Sequence, residues 1–443
     1  MNRQPAPSEL HRSSTPSAIE YPATLSVTPQ ALANADRIAA LGNPFTTRAE
    51  LPALFAQIRG LCLSTTDLFS GLGSASLGAV WAGAVPVAGY NHWQAAVDTY
   101  IANHGCGTLV DLQDSSAWAH PATRLLIASP DFSGHQRAAG SKQRFAQLRE
   151  PSRRAAWYAA RSRATSRRVA EFAEAHGYLS RGDDGYQAIV LEQLLEFGGW
   201  PYLGSYLNDF AVSGYAPTFY CVDAAHTGAP AHRERVTILF TRADRPLPDP
   251  VLRVDAVCRK HGPVRAAQQW TGNRRYWIGS YGRDYHWACP VCDTACQPVG
   301  GRAADAIDLT RAAPTMRQRA NGEANPVTDE TIARITAGVQ QHGLVPMWVQ
   351  TTRTFRPARP ISTPLPTLTT QQELAVWIPD PDGDFTASRF RYLAADELAA
   401  AAELPTGYQI LGTSIRDRVR QIGHANSPRL MADFIARAAV TLL

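Results

Sequence analysis

Apolar and polar positions alternate in blocks that change period as the chain advances. From Leu63, a strand-like run "LSTTDLF" meets a Gly-rich turn and a helix-periodic stretch "SASLGAVWAGA". Strand "VPVAGY" and helix "WQAAVDTYIANHG" follow, then the short segment "GTLVDL" and strand "RLLIAS". A long helical pattern is predicted from about Pro151 to Gly177. Beyond it come strand "YQAIVLEQL", helix "YLGSYLNDFAVSG", strand "PTFYCVDAA", loop "HTGAPAHRER" and strand "VTILFTR". Strands alternating with helices at this spacing predict an α/β fold with a doubly wound, mostly parallel sheet.

The alternation stops near Ala243. Four segments are therefore expected. Residues 1–50, rich in Pro, Ser and Thr near the start, read as a flexible tail. Residues 51–244 form the main α/β layer. Residues 245–370 form an inserted smaller domain. Residues 371–443 return to the main layer and end in the helix "SPRLMADFIARAAVTLL".

Composition narrows the class. The chain has 443 residues, 45% hydrophobic and 18% charged, as in ordinary globular proteins. No apolar run approaches the roughly 18 residues that span a bilayer, so no membrane role is expected. The first residues lack an apolar secretory core, and the default location is the cytoplasm. Net charge is only +5, but eight arginines between Arg144 and Arg168 face a single acid, Glu150. That cluster reads either as a solvated helix face or as a phosphate-contacting surface.

Seven cysteines in so long a chain make no disulfide framework. Cys258-x-x-His261 and Cys289-x-x-Cys292 are two short chelating pairs, and "CPVC" suits a knuckle turn. Together they fit a tetrahedral structural Zn²⁺ that staples a small β-rich module at about 255–298. The plainer reading is two unrelated buried pairs. Cys296 is a spare.

The turn "DLFSGLGS" lets the backbone approach a ligand at a helix N-terminus, and "YNHW" ends the next strand. Order adds specificity. "DLFSGLGS", "SPDF", "LEQLLEF", "HRERV", a variable insert, "PLPTLTT" and "RQIGHANSP" occur in a series that resembles the DNA cytosine-5 methyltransferase family, closest to its phage and actinobacterial types, over residues 63–443. The resemblance implies a class I S-adenosylmethionine-dependent methyltransferase fold, S-adenosylmethionine as cofactor and double-stranded DNA as partner. Asp67, Phe69, Gly71, Gly73, Asn91, Trp93, Asp111, Pro130, Gly423 and Ala425 would serve the cofactor. Glu192 would hold N3 of a flipped cytosine, and Arg233 and Arg235 its O2 and the adjacent phosphate. The zinc-stapled insert would be the target-recognition region.

The departure is at the reacting atom. The family adds a cysteine thiolate to C6 of the flipped base. In "SPDF" that position is Phe132, which cannot add to anything. Ser133 is adjacent, Asp131 and His135 are the nearby acid/base candidates, and Cys62, Cys106 and Cys221 lie elsewhere. Smaller departures are Gln193, Leu194, Ala231, His424 and Asn426. Three readings stand. One is a catalytically silent homologue that binds DNA and acts beside a catalytically active partner protein. Another is an enzyme with altered chemistry on a flipped base. The last is an ordinary cytosine-5 methyltransferase substituted at residue 132.

Overall fold

The computed structural model describes residues 24–42, 51–130, 153–352 and 355–443. Strand β1 (Ser64–Leu68) is buried at all five positions, although it carries Thr65, Thr66 and Asp67. Such a strand needs cover on both faces, which a helix-flanked parallel sheet supplies. Its partners are β2 (Val85–Asn91), β3 (Thr108–Leu109), β4 (Leu125–Ala128), β5 (Ala188–Gln193), β6 (Tyr215–Asp223) and β7 (Glu234–Arg242). The seven strands run in the order β3-β2-β1-β4-β5-β7-β6. β1 to β5 pair in parallel, and β7 lies antiparallel to both neighbours. The expected class I methyltransferase fold is therefore present. Strand order reverses beside β1, which opens a crevice at the carboxyl ends of β1 and β4.

Helix α1 (Pro29–Ala39) lies within the expected tail. Thr28 caps it by accepting from the Ala31 N–H, Pro29 opens its first turn, and Ala35 and Ile38 are buried. The tail expectation fails for this stretch because a short amphipathic helix follows a Pro/Ser/Thr-rich run whose composition masked it. Helix α2 (Leu51–Gly60) precedes β1, and helices α3 (Ser74–Trp81), α4 (Gln94–His104), α5 (Arg153–His176) and α6 (Leu203–Val212) connect the strands.

The insert has two parts. Strands β8 (Arg253–Cys258), β9 (Gly262–Trp270), β10 (Tyr285–Ala288) and β11 (Ala295–Pro298) close into a small barrel. β8 alternates strictly, with Val254, Ala256 and Cys258 inward, and its interior is continuous with the main core. Helix α7 (Asp329–His342) then covers a sheet of β12 (Met347–Gln350), β13 (Arg359–Pro360), β14 (Leu374–Ile378) and β15 (Arg389–Tyr392). This sheet has its own core, including Ile335, Met347, Val349, Trp377 and Phe390. It straddles the division expected at 370, so the chain rejoins the main layer after β15. There α8 (Ala395–Ala401), α9 (Ile415–Gly423) and α10 (Pro428–Val440) follow. No helix among the described residues is long and apolar enough to cross a membrane.

α10 presents Leu430, Met431, Phe434 and Ile435 to the core, each such side chain contributing about 1.5–3 kcal/mol on burial. It reaches α3 closely because residue 78 is glycine. A Cβ there would sit 2.5 Å from the Pro428 carbonyl oxygen and 2.7 Å from Met431 Cβ. Gly78→Ala is expected to destabilise the fold by about 1–3 kcal/mol in urea unfolding. Gly60→Ala, whose Cβ would meet nothing within 4 Å, is expected to be neutral or stabilising by up to about 1 kcal/mol.

Candidate functional site

The crevice begins with the turn after β1. Phe69, Gly71 and Gly73 all have left-handed backbone, with φ of 60°, 53° and 89°. For Phe69 that conformation costs of order 1 kcal/mol or more, so surrounding contacts must hold it. They do so through the main chain. Tyr408 Oη donates to the Leu72 carbonyl at 2.8 Å. Its only proton is thereby used, so His104 Nε2, 3.1 Å from Tyr408 Oη and 3.0 Å from the Gly73 carbonyl, carries the ring proton. Burial holds His104 neutral, with its pKa pushed down to about 4. A side chain at residue 73 would collide with this clamp, its Cβ 2.6 Å from His104 Nε2. Behind the turn, Ser76 Oγ donates to Asp67 Oδ2 at 2.7 Å and lies 2.8 Å from Tyr100 Oη, which donates in turn. Burial raises the Asp67 pKa to about 7, against the opposing Ser76 hydrogen bonds.

Asn91, Trp93 and Asp111 lie at or just beyond the ends of β2 and β3. Asn91 Oδ1 accepts from the Trp93 N–H at 2.9 Å, and Asp111 Oδ1 from the Gln113 N–H at 3.0 Å. Trp93 already carries a cation on one face, the Arg420 guanidinium 4.6 Å from the ring centroid. Gly423 lets α9 end against the Thr369 carbonyl, which a Cβ would approach to 2.4 Å. Ala425 is buried beside it. The next residue, Asn426, ties the last motif to two others. Its N–H donates to Ser74 Oγ at 2.8 Å and its Nδ2 to Ser129 Oγ at 2.8 Å. Gln193 Nε2 donates to the Pro130 carbonyl at 2.9 Å. Gln193 and Asn426 stood out in the sequence only as departures from a pattern; the structure makes both of them ties to the strand that leads into the loop.

On the other side of the crevice, Glu192 Oε1 lies 3.4 Å from Arg233 Nη2. Asp223 fixes this arginine's backbone. Its Oδ1 accepts from the Arg233 and Ala225 N–H groups at 2.8 and 3.0 Å, and its Oδ2 pairs with His232 Nδ1 at 2.7 Å. Arg233 Nε is buried and has no hydrogen-bond partner among the described residues. Arg235 donates to the Glu234 carbonyl at 2.8 Å. Burial, then the nearby Arg233 charge, pull its pKa down to about 10. A narrow cleft runs between Arg233, Leu368, Glu403, Asn426 and Ser427. Glu403 was not singled out by the sequence. Its Oε1 accepts from Arg429 Nε at 2.9 Å and its Oε2 from Ser427 Oγ. Burial raises its pKa despite those partners.

Asp131, Phe132 and His135 lie outside the described residues, as do Arg144 and Arg149. Of the arginine cluster, Arg168 is engaged structurally, with Glu171 and, at 2.7 Å, with the Gln113 carbonyl. The other thiols named in the sequence are placed away from the crevice or held protonated. Burial pushes both Cys106 and Cys221 up to about 12, and Cys62 precedes β1, at the amino end of that strand and away from the crevice.

Cys258, His261, Cys289 and Cys292 come together at one end of the barrel, their ligand atoms all within 4.8 Å of one another. Cys258 Sγ is 3.7 Å from Cys292 Sγ and 3.5 Å from His261 Nδ1, and Cys289 Sγ is 3.5 Å from His261 Nδ1. A tetrahedron with Zn–S of about 2.3 Å and Zn–N of about 2.0–2.1 Å sets these separations near 3.8 and 3.5 Å. The donor set thus fits zinc. The backbone N–H groups of Lys260 and His261 help pull the Cys258 thiol down to about 5, toward the thiolate that a metal needs. The Val291 N–H donates to Cys289 Sγ at 3.4 Å, as a knuckle turn does.

Two measurements test this geometry. Asp67 has a raised pKa in the folded state, so its contribution to stability is present at low pH and is lost as pH rises through about 7. Asp67→Asn cannot ionise. Its stability relative to the native chain is expected to rise by about 2–4 kcal/mol between about pH 4 and about pH 8, read by urea unfolding. Metal analysis should find one zinc per chain, and Cys289→Ser should lose it. Stripping the zinc with a chelator should lower the melting temperature by several degrees.

No family model and no curated protein sequence matches this chain. Solved structures do. The Dnmt2 methyltransferase of S. pombe superposes with a TM-score of 0.51 at 13% identity, covering 86% of this chain and 99% of that one. A mutant of Spodoptera frugiperda DNMT2 gives 0.51 at 11%, covering 85% and 99%. At such identities the similarity is one of architecture: the chain has the fold of these methyltransferases.

Proposed function

We propose that this chain binds DNA and S-adenosylmethionine and accommodates a flipped cytosine without forming the C6 thiol adduct, as a silent or regulatory relative of the DNA cytosine-5 methyltransferases. The observation that carries this reading is the Glu192–Arg233 pair. A buried carboxylate and a partly buried guanidinium, whose Nε–H is itself buried and unpaired among the described residues, sit side by side at the carboxyl ends of the sheet. A buried donor without a partner costs about 1–3 kcal/mol, which a ligand acceptor would recover. The pairing edge of cytosine offers the complement: amino hydrogens on N4 for Glu192 and the O2 acceptor for Arg233. Asp223 keeps Arg233 in register.

The left-handed turn at Phe69, Gly71 and Gly73 and the ends of β2 and β3 would hold the cofactor, with Asn91, Asp111 and Trp93 at its adenosine. Gly71 leaves that turn open, since a Cβ there would meet nothing within 4 Å. The cofactor would supply an electrophilic methyl group. What the chain lacks is a group to raise the nucleophilicity of C5, because Phe132 occupies the thiolate position of the resemblance. The partner protein and the DNA target belong to the same proposal, with the zinc barrel as the target-reading part.

Duplex DNA incubated with methyl-labelled S-adenosylmethionine and the native chain is expected to yield no labelled nucleoside by mass spectrometry. The Phe132→Cys variant is expected to yield 5-methylcytosine. A labelled nucleoside from the native chain would overturn the silent reading, and the labelled atom would name the chemistry.

A further inference from the structure

The segment that brings Arg233 to the cleft carries an ionisable group one residue earlier. His232 Nδ1 lies 2.7 Å from Asp223 Oδ2, and the other Asp223 oxygen accepts from the Ala225 and Arg233 N–H groups. Despite burial, the His232 hydrogen bond holds the Asp223 carboxyl below its ordinary value. An ionised carboxylate only accepts, so Nδ1 carries a proton whether the ring is charged or neutral. The backbone is fixed too. The His232 N–H donates to the Leu365 carbonyl at 2.9 Å, and the Leu365 N–H to the Pro230 carbonyl at 2.8 Å. Nε2 is therefore the ring atom whose role changes with pH. It donates from the imidazolium and offers a lone pair from the neutral ring. Among the described residues it has no hydrogen-bond partner.

The charged groups around the ring have other engagements. The Asp223 hydrogen bond raises the His232 pKa, against burial; Glu234 adds to the rise and Arg359, on β13, opposes it. Glu234 accepts from the Tyr281 N–H and Tyr285 Oη. Glu192 pairs with Arg233, and Glu403 with Arg429 and Ser427. His226, in the turn Ala224–Thr227, is pulled down by burial and accepts from Trp287 with Nδ1. Exposure then orders the side chains from the floor of the site to its rim. Glu192 is 6% exposed, Arg233 16% and His232 44%, and Arg233 and His232 line one cleft. A nucleotide whose base reaches Glu192 and Arg233 leaves its sugar and phosphate toward the rim. The acceptors that it offers there are phosphate oxygens.

We propose that protonated His232, aimed by Asp223, donates from Nε2 to a phosphate oxygen of the DNA backbone beside the extrahelical base. This rests on the DNA-binding reading above. Asp223 is a positioning residue in this scheme. It fixes the ring and keeps it charged at higher pH, and it does not touch the DNA. Losing the proton turns the Nε2 contact from attraction to repulsion, so DNA is held more weakly as pH rises through the His232 titration.

The test measures affinity of the full chain for a paired duplex, and for the same duplex with one bulged cytosine, from about pH 6 to about pH 9 at fixed low salt. Native affinity for both is expected to fall about tenfold across this range. His232→Gln, at a half-exposed position, is expected to keep its melting temperature and to bind with the weaker affinity at every pH. Parallel profiles for the two chains would overturn the proposal. In Asp223→Asn the fall is expected at lower pH; an unmoved midpoint would overturn the role of Asp223. The second readout is NMR titration of the histidine imidazoles, with the His232 signal identified by its loss in His232→Gln. Binding and protonation are linked, so a tenfold effect requires the paired duplex to raise the His232 midpoint by about one pH unit. An unmoved midpoint with the duplex bound would overturn the proposal. A pH-dependent chain with no preference for the bulge sinks the base-handling reading and leaves the phosphate contact standing. A bulge preference with pH-independent affinity does the reverse.

Discussion

The hydrogen bond from Tyr408 to the Leu72 carbonyl closes a loop of more than three hundred residues. The crevice depends on it. The turn after β1 places Phe69 in a backbone conformation that it would not hold alone, and the pieces that hold it come from the far end of the chain. Asn426 bonding Ser74 repeats the pattern from α10's approach. Gln409 and Leu411 add two more long-range ties, to Asn103 and Thr99 on α4. The entropy cost of such closure grows only slowly with loop length, so the insert between β7 and α8 is tolerated as long as its two ends meet. Contacts of this sequence separation also slow folding, because loop closure must be met before they form.

The insert is docked onto the site. Glu234, which lies between Arg233 and Arg235, accepts from the Tyr281 N–H at 2.6 Å and from Tyr285 Oη at 3.4 Å. Trp287, two residues before Cys289 of the Cys/His cluster, donates to His226 Nδ1 at 3.2 Å. Gln268 Nε2 donates to the Cys221 carbonyl on β6 at 2.7 Å. The barrel's interior and the main core are one apolar body. Loosening the Cys/His cluster would therefore be felt at the arginines of β7 as well as in the barrel itself.

The main layer was legible because its signals are local. Apolar runs bounded by turns mark six of the seven strands in order, β3 standing out only as a short segment, and the Gly turn and the two Cys/His pairs each announce themselves by spacing. Glu192 and Arg233 were legible through the resemblance, and the structure brings them together. What stayed hidden depends on contacts distant in sequence. Nothing near His104 or Tyr408 marks them as a clamp. The partners of Glu403, Ser427 and Arg429, come after another helix. α1 was hidden by the Pro, Ser and Thr that precede it, and β14 and β15 continue a sheet whose first strand lies before the expected division at 370. Trp93 stands among the cofactor residues that the resemblance implies, and nothing in its neighbourhood in the sequence marks Arg420, which lies over it.

That last contact bears on any flat ligand the crevice would take. A guanidinium over an indole is worth about 0.5–1 kcal/mol where water reaches it. A flat ligand that takes the same face must displace Arg420, so the filled crevice gains only the difference between two aromatic contacts. The released guanidinium then stands at the rim as an unpaired positive charge. Empty and filled states thus differ in surface potential as well as in shape, and a polyanion lying along that rim would meet a more positive surface once the ring is in place.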